Sequence, residues 1–210
     1  NGPDQRADEL VFVHAAVRAG VEHVIKLSAP VVGPDVPVAV ARMHGEIEAV
    51  IETSGLALTH VRPYAFMSNL LRHARTIVSM GVFFGCTGHA KVNFVSPDDI
   101  ADVVVTACTD PALRGRALVL TGPEAYEMAE VAHILKGLGI EARYVDQTPA
   151  AHRRGLARAN LPPWLVEHIL EIQALSVAAP ERPTETVADV LGRAPRTLEA
   201  FLGAHREVFL

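Results

Sequence analysis

The sequence predicts an α/β fold: the C-terminal part of a parallel sheet, carrying a smaller lobe that is mixed and then mostly helical. Three observations point there. Up to Pro63, helix and strand patterns alternate with no hairpin signal between them, which is the rhythm of parallel pairing. The first strand pattern has a nearly continuous apolar centre, as in a strand covered on both faces. Past about residue 80 the alternation breaks down, and from Thr148 onward every pattern is helical.

The elements follow in order. Leu10, Val13, His14 and Val17 recur at three- and four-residue spacing, which predicts a helix over 8–19 stopped by Gly20. The run VEHVIKLS, 21–28, is a strand, and the proline-rich segment 30–37 a loop. Val40, Met43, Ile47, Val50 and Ile51 make one apolar stripe, so 38–53 is a helix with Gly55 at its C′ position. A second strand covers 56–61. Phe66, Leu70, His73, Ile77 and Met80 predict a helix over 66–80. The glycine-punctuated run 82–89 reads as a loop with short extended pieces, and the alternation in 91–95 as a short strand.

Ser96-Pro97-Asp98-Asp99 is a strong helix start: a serine cap, proline at the first helical position and acids in the first turn. That helix runs to about Cys108. A strand at 116–121, a helix at 126–138 and a strand at 142–146 follow. Helices are then predicted at 149–159, 163–176, 184–191 and 196–209.

Composition narrows the function classes. Half of the 210 residues are hydrophobic and a fifth charged, ordinary for a globular chain able to bury its own core. The net charge is −5 and no basic block stands out, which argues against a nucleic-acid partner; the most basic run, 151–159, reads as the solvated face of a helix. Cys86 and Cys108 are too far apart for a metal pair or a CxxC motif, and read as buried thiols in a reducing, cytoplasmic setting. No apolar run reaches the ~18 residues needed to span a bilayer, and no signal pattern opens the sequence. The start, Asn1-Gly2-Pro3-Asp4, lacks Met and looks like a loop inside a domain, so further residues are expected before it.

The search for chemistry converges on 44–69. A phosphate cradle needs glycines between the first strand and its helix, so that backbone N–H groups meet the pyrophosphate. The only glycine cluster, Gly81 to Gly88, has the wrong spacing and no helix after it. No GxSxG or HExxH occurs. His44 and Glu48 are four apart and share a helix face. They form either a surface hydrogen bond or a pair at the strand ends, where His44 exchanges protons with a substrate carbonyl. No second pair of ligands accompanies them, so no metal is expected. Ser28 ends a parallel strand, where ligands of open α/β sheets bind; it either points its hydroxyl into that crevice or caps the loop. Tyr64 and Asn69 lie just past the next strand end, Tyr64 as a stacking platform or rim packing. Arg62 is expected to pin the turn or a carboxylate, and His60 to be a core or supporting residue.

These residues together resemble a family. GVEHVIKLSA, the His44–Glu48 helix, SGLALTHVRPYAFMSNLL and FVSPDDIADVVV are similar to the C-terminal two thirds of NmrA-like proteins, atypical members of the short-chain dehydrogenase/reductase superfamily. LTGPEAYEMAEVAHIL and GRAPRTLEAFL fit the same family, so the resemblance covers essentially the whole chain. It implies a Rossmann-like domain binding NADP or NAD with a smaller substrate lobe. Residues 1–80, joined by a strand near 115–121, would be part of the cofactor domain, and 81–210 the substrate lobe. It further implies about 70 to 80 residues before Asn1, with three strands and the glycine-rich loop.

By position, Ser28, Ala29, Pro63, Tyr64 and Phe66 would flank the nicotinamide, and Tyr64, Met67 and Asn69 the substrate. His44 and Ser28 are the catalytic candidates. His44 stands where isoflavone-reductase-like relatives carry a catalytic lysine, and the YxxxK pair is absent here. The expected function is NAD(P)H-dependent reduction of a small quinone-like or conjugated substrate; the alternative is a non-catalytic NADP sensor. The expected partners are small molecules, with no nucleic acid and no membrane. A sheet lacking its first strands would expose an edge that pairs with another copy, giving a homo-oligomer.

Overall fold

The computed structural model describes residues 2 and 4–210. Asn1 and Pro3, part of the turn-like opening, lie outside the described residues.

The first helix, α1 (Gln5–Arg18), buries Val13 and Ala16 and turns Val11 and Phe12 to solvent. Strand β1 (His23–Leu27) leads through the proline-rich loop to α2 (Ala39–Glu52), and Gly55 follows that helix with a left-handed φ of 81°. Strand β2 (Ala57–Pro63) pairs parallel with β1, Leu27 lying opposite Val61. After a two-residue strand β3 (Ala65–Phe66), a tight 3-10 segment, Met67–His73, runs into α3 (Ala74–Met80). Strands β4 (Val82–Gly85) and β5 (Val92–Val95) precede α4 (Pro97–Thr109). Strand β6 (Ala117–Leu120) returns to the other edge of β2, giving the parallel order β1-β2-β6. Then come β7 (Ala125–Tyr126), α5 (Met128–Gly137) and β8 (Arg143–Asp146), followed by α6 (Pro149–Arg158), α7 (Pro163–Ala178), α8 (Thr186–Leu191) and α9 (Leu198–Ala204).

The β1-β2-β6 sheet is covered on both faces. Val24 and Leu58 pack with Ile47 and Ile51 of α2 and with Val13 of α1. Ile25, Val61, Leu118 and Leu120 pack with Ile100 and Val103 of α4. Alternation along a strand produces this division, since successive side chains take opposite faces. Each fully buried aliphatic side chain here contributes roughly 1.5–3 kcal/mol. A third cluster, around Phe83, Phe94, Leu135 and Leu202, forms the core of the remaining part of the chain.

Three sequence expectations need correction. The predicted helix over 66–80 is a strand residue, a 3-10 segment and only then an α-helix; Phe66 pairs instead with Val95 of β5. The run 82–89, expected as a loop with short extended pieces, carries a sheet strand, β4, which pairs in parallel with β8. Its glycines misled because they serve packing: Gly81 ends α3 with φ 64°, and a Cβ on Gly85 would lie 3.0 Å from the Tyr144 hydroxyl. Cys86 is only partly buried and Cys108 is exposed, so neither is the sealed thiol expected.

The start of α4 follows its sequence signal: Ser96 Oγ accepts from the Asp98 N–H at 3.2 Å. Asp99 does more than complement the helix dipole. It is fully buried and accepts from the Arg196 backbone N–H (2.7 Å) and from Arg193 Nη2 (2.8 Å), tying the last segment of the chain to α4.

Candidate functional site

The carboxyl ends of the three parallel strands lie side by side. The Ser28 N–H donates to Val61 O at 2.7 Å and the Tyr64 N–H to Leu120 O at 3.0 Å, so the loops after β1 and β2 leave the sheet together. Val24, Lys26 and Ser28 share the α2 face of β1, and Leu58, His60 and Arg62 share it on β2. The loop after β1 closes tightly on α2 at Gly45, where a Cβ would lie 3.1 Å from the Gly33 nitrogen.

On that face the paired residues of the sequence separate. His44 and Glu48 are both buried and do not bond to each other; each is held by a cation from the sheet. Lys26 Nζ lies 3.1 Å from His44 Nδ1 and 2.5 Å from Glu9 Oε2. Burial first, and the Lys26 ammonium second, push the His44 imidazole down to about 4. His44 is therefore neutral at neutral pH. Arg62 grips both oxygens of Glu48, Nε reaching Oε1 at 3.1 Å and Nη2 reaching Oε2. Burial, the largest single influence, would raise the Glu48 carboxyl, but the Arg62 and Ser28 hydrogen bonds and the charges of His60 and Arg62 together outweigh it and hold the group below the usual carboxylate range. Arg62 thus pins a carboxylate, as its strand-end position suggested.

Ser28 is buried, and its Oγ has no hydrogen-bond partner of acceptable geometry among the described residues, although it lies near enough to Glu48 to favour its charge. Ala29 is half-buried beside it. Past β2, Pro63 is buried, Tyr64 and Phe66 are half-buried, Asn69 is exposed, and Met67 is fully buried in the Phe83–Phe94 core. Met67 shapes this edge from behind. Burial raises the Tyr64 phenol, and the Glu181 carboxylate adds to that.

His60, Glu48 and Glu52 bring one potential ligand atom each within 4.8 Å of one another. Arg62 already occupies both Glu48 oxygens, so a cation there would have to displace the guanidinium. The arrangement suits an ion-pair network.

Sequence reasoning missed two groups at this edge. Lys26 carried a signal: it is the single charge inside the apolar run VIKL, and a charge buried there requires a partner. Glu181 carried none. It lies in a proline-flanked loop, yet its carboxylate accepts from the Asn93 N–H of β5 (2.7 Å) and from Ser176 Oγ (2.6 Å), beside Tyr64.

No family model matches the chain. It is 36% identical to the NAD(P)H azoreductase of Xenophilus azovorans over 211 residues, spanning 99% of this chain and 73% of that protein. Among solved structures, the NADPH complex of the quinone oxidoreductase QOR2 from Escherichia coli superposes with a TM-score of 0.85 at 20% identity, over 97% of this chain and 72% of that one. NmrA, a negative transcriptional regulator solved with NAD, superposes with a TM-score of 0.70 at 18% identity, over 96% of this chain and 69% of that one. At these identities the two structural likenesses establish the fold, a Rossmann-like α/β arrangement.

Proposed function

We propose a function from one premise: the chain belongs to the NmrA-like family of atypical short-chain dehydrogenase/reductases. The protein is an NAD(P)H-dependent reductase of a small quinone-like or conjugated substrate. The observation that carries this is the 36% identity, over 99% of the chain, to an NAD(P)H azoreductase.

The residues present suit a nicotinamide nucleotide. The buried Ser28 hydroxyl, with only the Glu48 carboxylate nearby, lies at the carboxyl edge of a parallel sheet, which is where such folds take ligands. Ser28 and Ala29 from the end of β1, with Pro63, Tyr64 and Phe66 after β2, would hold the nicotinamide end. Tyr64 and Asn69 would contact the substrate, with Met67 behind them. NADPH or NADH, when bound, supplies the hydride.

His44 and Ser28 are the catalytic candidates in this reading. A neutral imidazole pushed down to about 4 is a poor proton source at neutral pH but a good hydrogen-bond donor. His44 accordingly holds the substrate oxygen or nitrogen by an N–H bond while water delivers the proton. Ser28 offers its hydroxyl to the same edge. Residues 1–80 with β6 form the cofactor side, and residues from 81 onward, apart from the segments that return to the sheet, form the substrate side.

The partners in this reading are small molecules, with no nucleic acid and no membrane, in the cytoplasm. Among the described residues no helix is long and apolar enough to cross a membrane. Among the described residues β1 pairs on one side only, with β2, and a homo-oligomer is part of this reading. The likeness to NmrA favours a second reading, a non-catalytic sensor of NADP state.

Steady-state NADPH oxidation against a small panel of quinones and azo dyes separates the two. Substrate-dependent consumption supports the reductase. No consumption, with unequal affinity for NADPH and NADP⁺ by calorimetry, supports the sensor and removes the reductase.

A further inference from the structure

We infer that Lys26 is a positioning residue of this reductase: its ammonium fixes His44 as the Nε2–H tautomer and so creates the hydrogen-bond donor that the reduction uses. The inference rests on the reading that His44 serves the reaction, and extends it to a residue on a different element.

Lys26 is 4% exposed, one residue before the end of β1. An ammonium has three N–H groups and no lone pair. Here three acceptors surround it: Glu9 Oε2 at 2.5 Å, the Leu27 carbonyl at 3.2 Å and His44 Nδ1 at 3.1 Å. The ring nitrogen facing an ammonium has to accept. A neutral imidazole that accepts at Nδ1 carries its proton on Nε2. Among the described residues Nε2 bonds to nothing else, so that N–H is available.

The charges around the ring agree. Lys26 faces it from β1, Glu9 from α1, and Glu48 lies one turn along α2. Both carboxylates favour the imidazolium, but burial and the ammonium prevail. Glu9 is engaged by Lys26 at 2.5 Å, so its carboxylate is directed at Nζ and not at the ring.

A structural role alone explains Lys26 poorly. Position 26 faces the α1–α2 core, where an apolar side chain of similar length packs without desolvating a charge, and the Glu9 carboxylate left behind is part-exposed and can be solvated. Lys26→Met is therefore expected to fold.

The test is long-range ¹⁵N–¹H NMR of histidine-labelled protein, with the His44 signal assigned by its loss in His44→Gln. The expected result is the Nε2–H tautomer in the wild type. In Lys26→Met the ring should become a mixture of tautomers, and its titration midpoint should move up from about 4. For NADPH oxidation, kcat in Lys26→Met should fall roughly tenfold, the effect of about one weakened hydrogen bond in the transition state, with KM for NADPH unchanged. Lys26→Arg, which keeps a charged donor, should recover part of the rate. An Nδ1–H ring in the wild type, or a tautomer unaltered in Lys26→Met, overturns the inference. The underlying reading fails differently: the tautomer is as stated, yet His44→Ala oxidises NADPH at the wild-type rate.

Discussion

Arg62, at the end of β2, and Glu48, on α2, form a two-pronged ion pair with Glu48 almost fully buried. It locks the helix bearing His44 to the strand that ends at Pro63. Breaking such a pair leaves a buried charge without a partner. Arg62→Ala should therefore lower stability by about 3 kcal/mol, read as a shift in the urea midpoint. A midpoint unchanged at neutral pH would show that water replaces the guanidinium at no cost.

Acid should unfold the protein earlier than neutral pH does, and the sign follows from the groups themselves. His44 is pushed down to about 4 in the folded protein, while in the unfolded chain it takes a proton near 6.5. Between those values the unfolded state binds more protons, so stability falls as pH drops from about 6.5 to about 4, by about 3 kcal/mol for this group. Burial also pushes His73, packed against Phe83, down to about 4, in the same direction. Glu48 adds a loss at lower pH: its carboxyl is depressed, so the stability it contributes is present above its unfolded value and lost as pH falls through the folded one. Urea unfolding across pH 4–8 (the range set by those ordinary values) checks this. A flat profile would contradict it.

Gly122, just past β6, lies against the β5 backbone. A Cβ there would lie 2.1 Å from the Phe94 carbonyl oxygen, a backbone atom that cannot swing aside. The Asn93 side chain seals the same junction, accepting from the Gly122 N–H at 2.8 Å. Gly122→Ala should cost roughly 3 kcal/mol by thermal unfolding, the upper range for overpacking. Gly137→Ala, in open space at the end of α5, is the control and should not destabilise.

Asp99 fastens the end of the chain. With its side chain wholly buried, it accepts from Arg193, from Arg196 and from the Arg196 backbone. Asp99→Ala should destabilise the protein by about 3 kcal/mol, and hydrogen exchange should speed first in α9. Exchange in α9 at the wild-type rate would show that the segment is held by the Leu198–Leu202 packing alone.

Much of this was legible in the sequence, and the failures have physical reasons. Apolar periodicity set α2, β1 and β2, and the Ser96-Pro97 signal set α4, because one local preference and one burial pattern agree there. The glycines of 81–88 misread as a loop because Gly85 accommodates a ring from Tyr144, a partner far along the chain. His44 and Glu48 were recognised but wrongly paired. Their real partners, Lys26 and Arg62, come from neighbouring strands, and helix spacing is silent about those.

The most direct measurement is a single-turnover experiment, mixing the NADPH-loaded protein with a simple quinone and following NADPH absorbance and quinone together. The reductase account predicts matched loss of both, slowed at least tenfold in His44→Ala while NADPH still binds. NADPH that binds and stays unoxidised through the whole quinone and dye panel would contradict it.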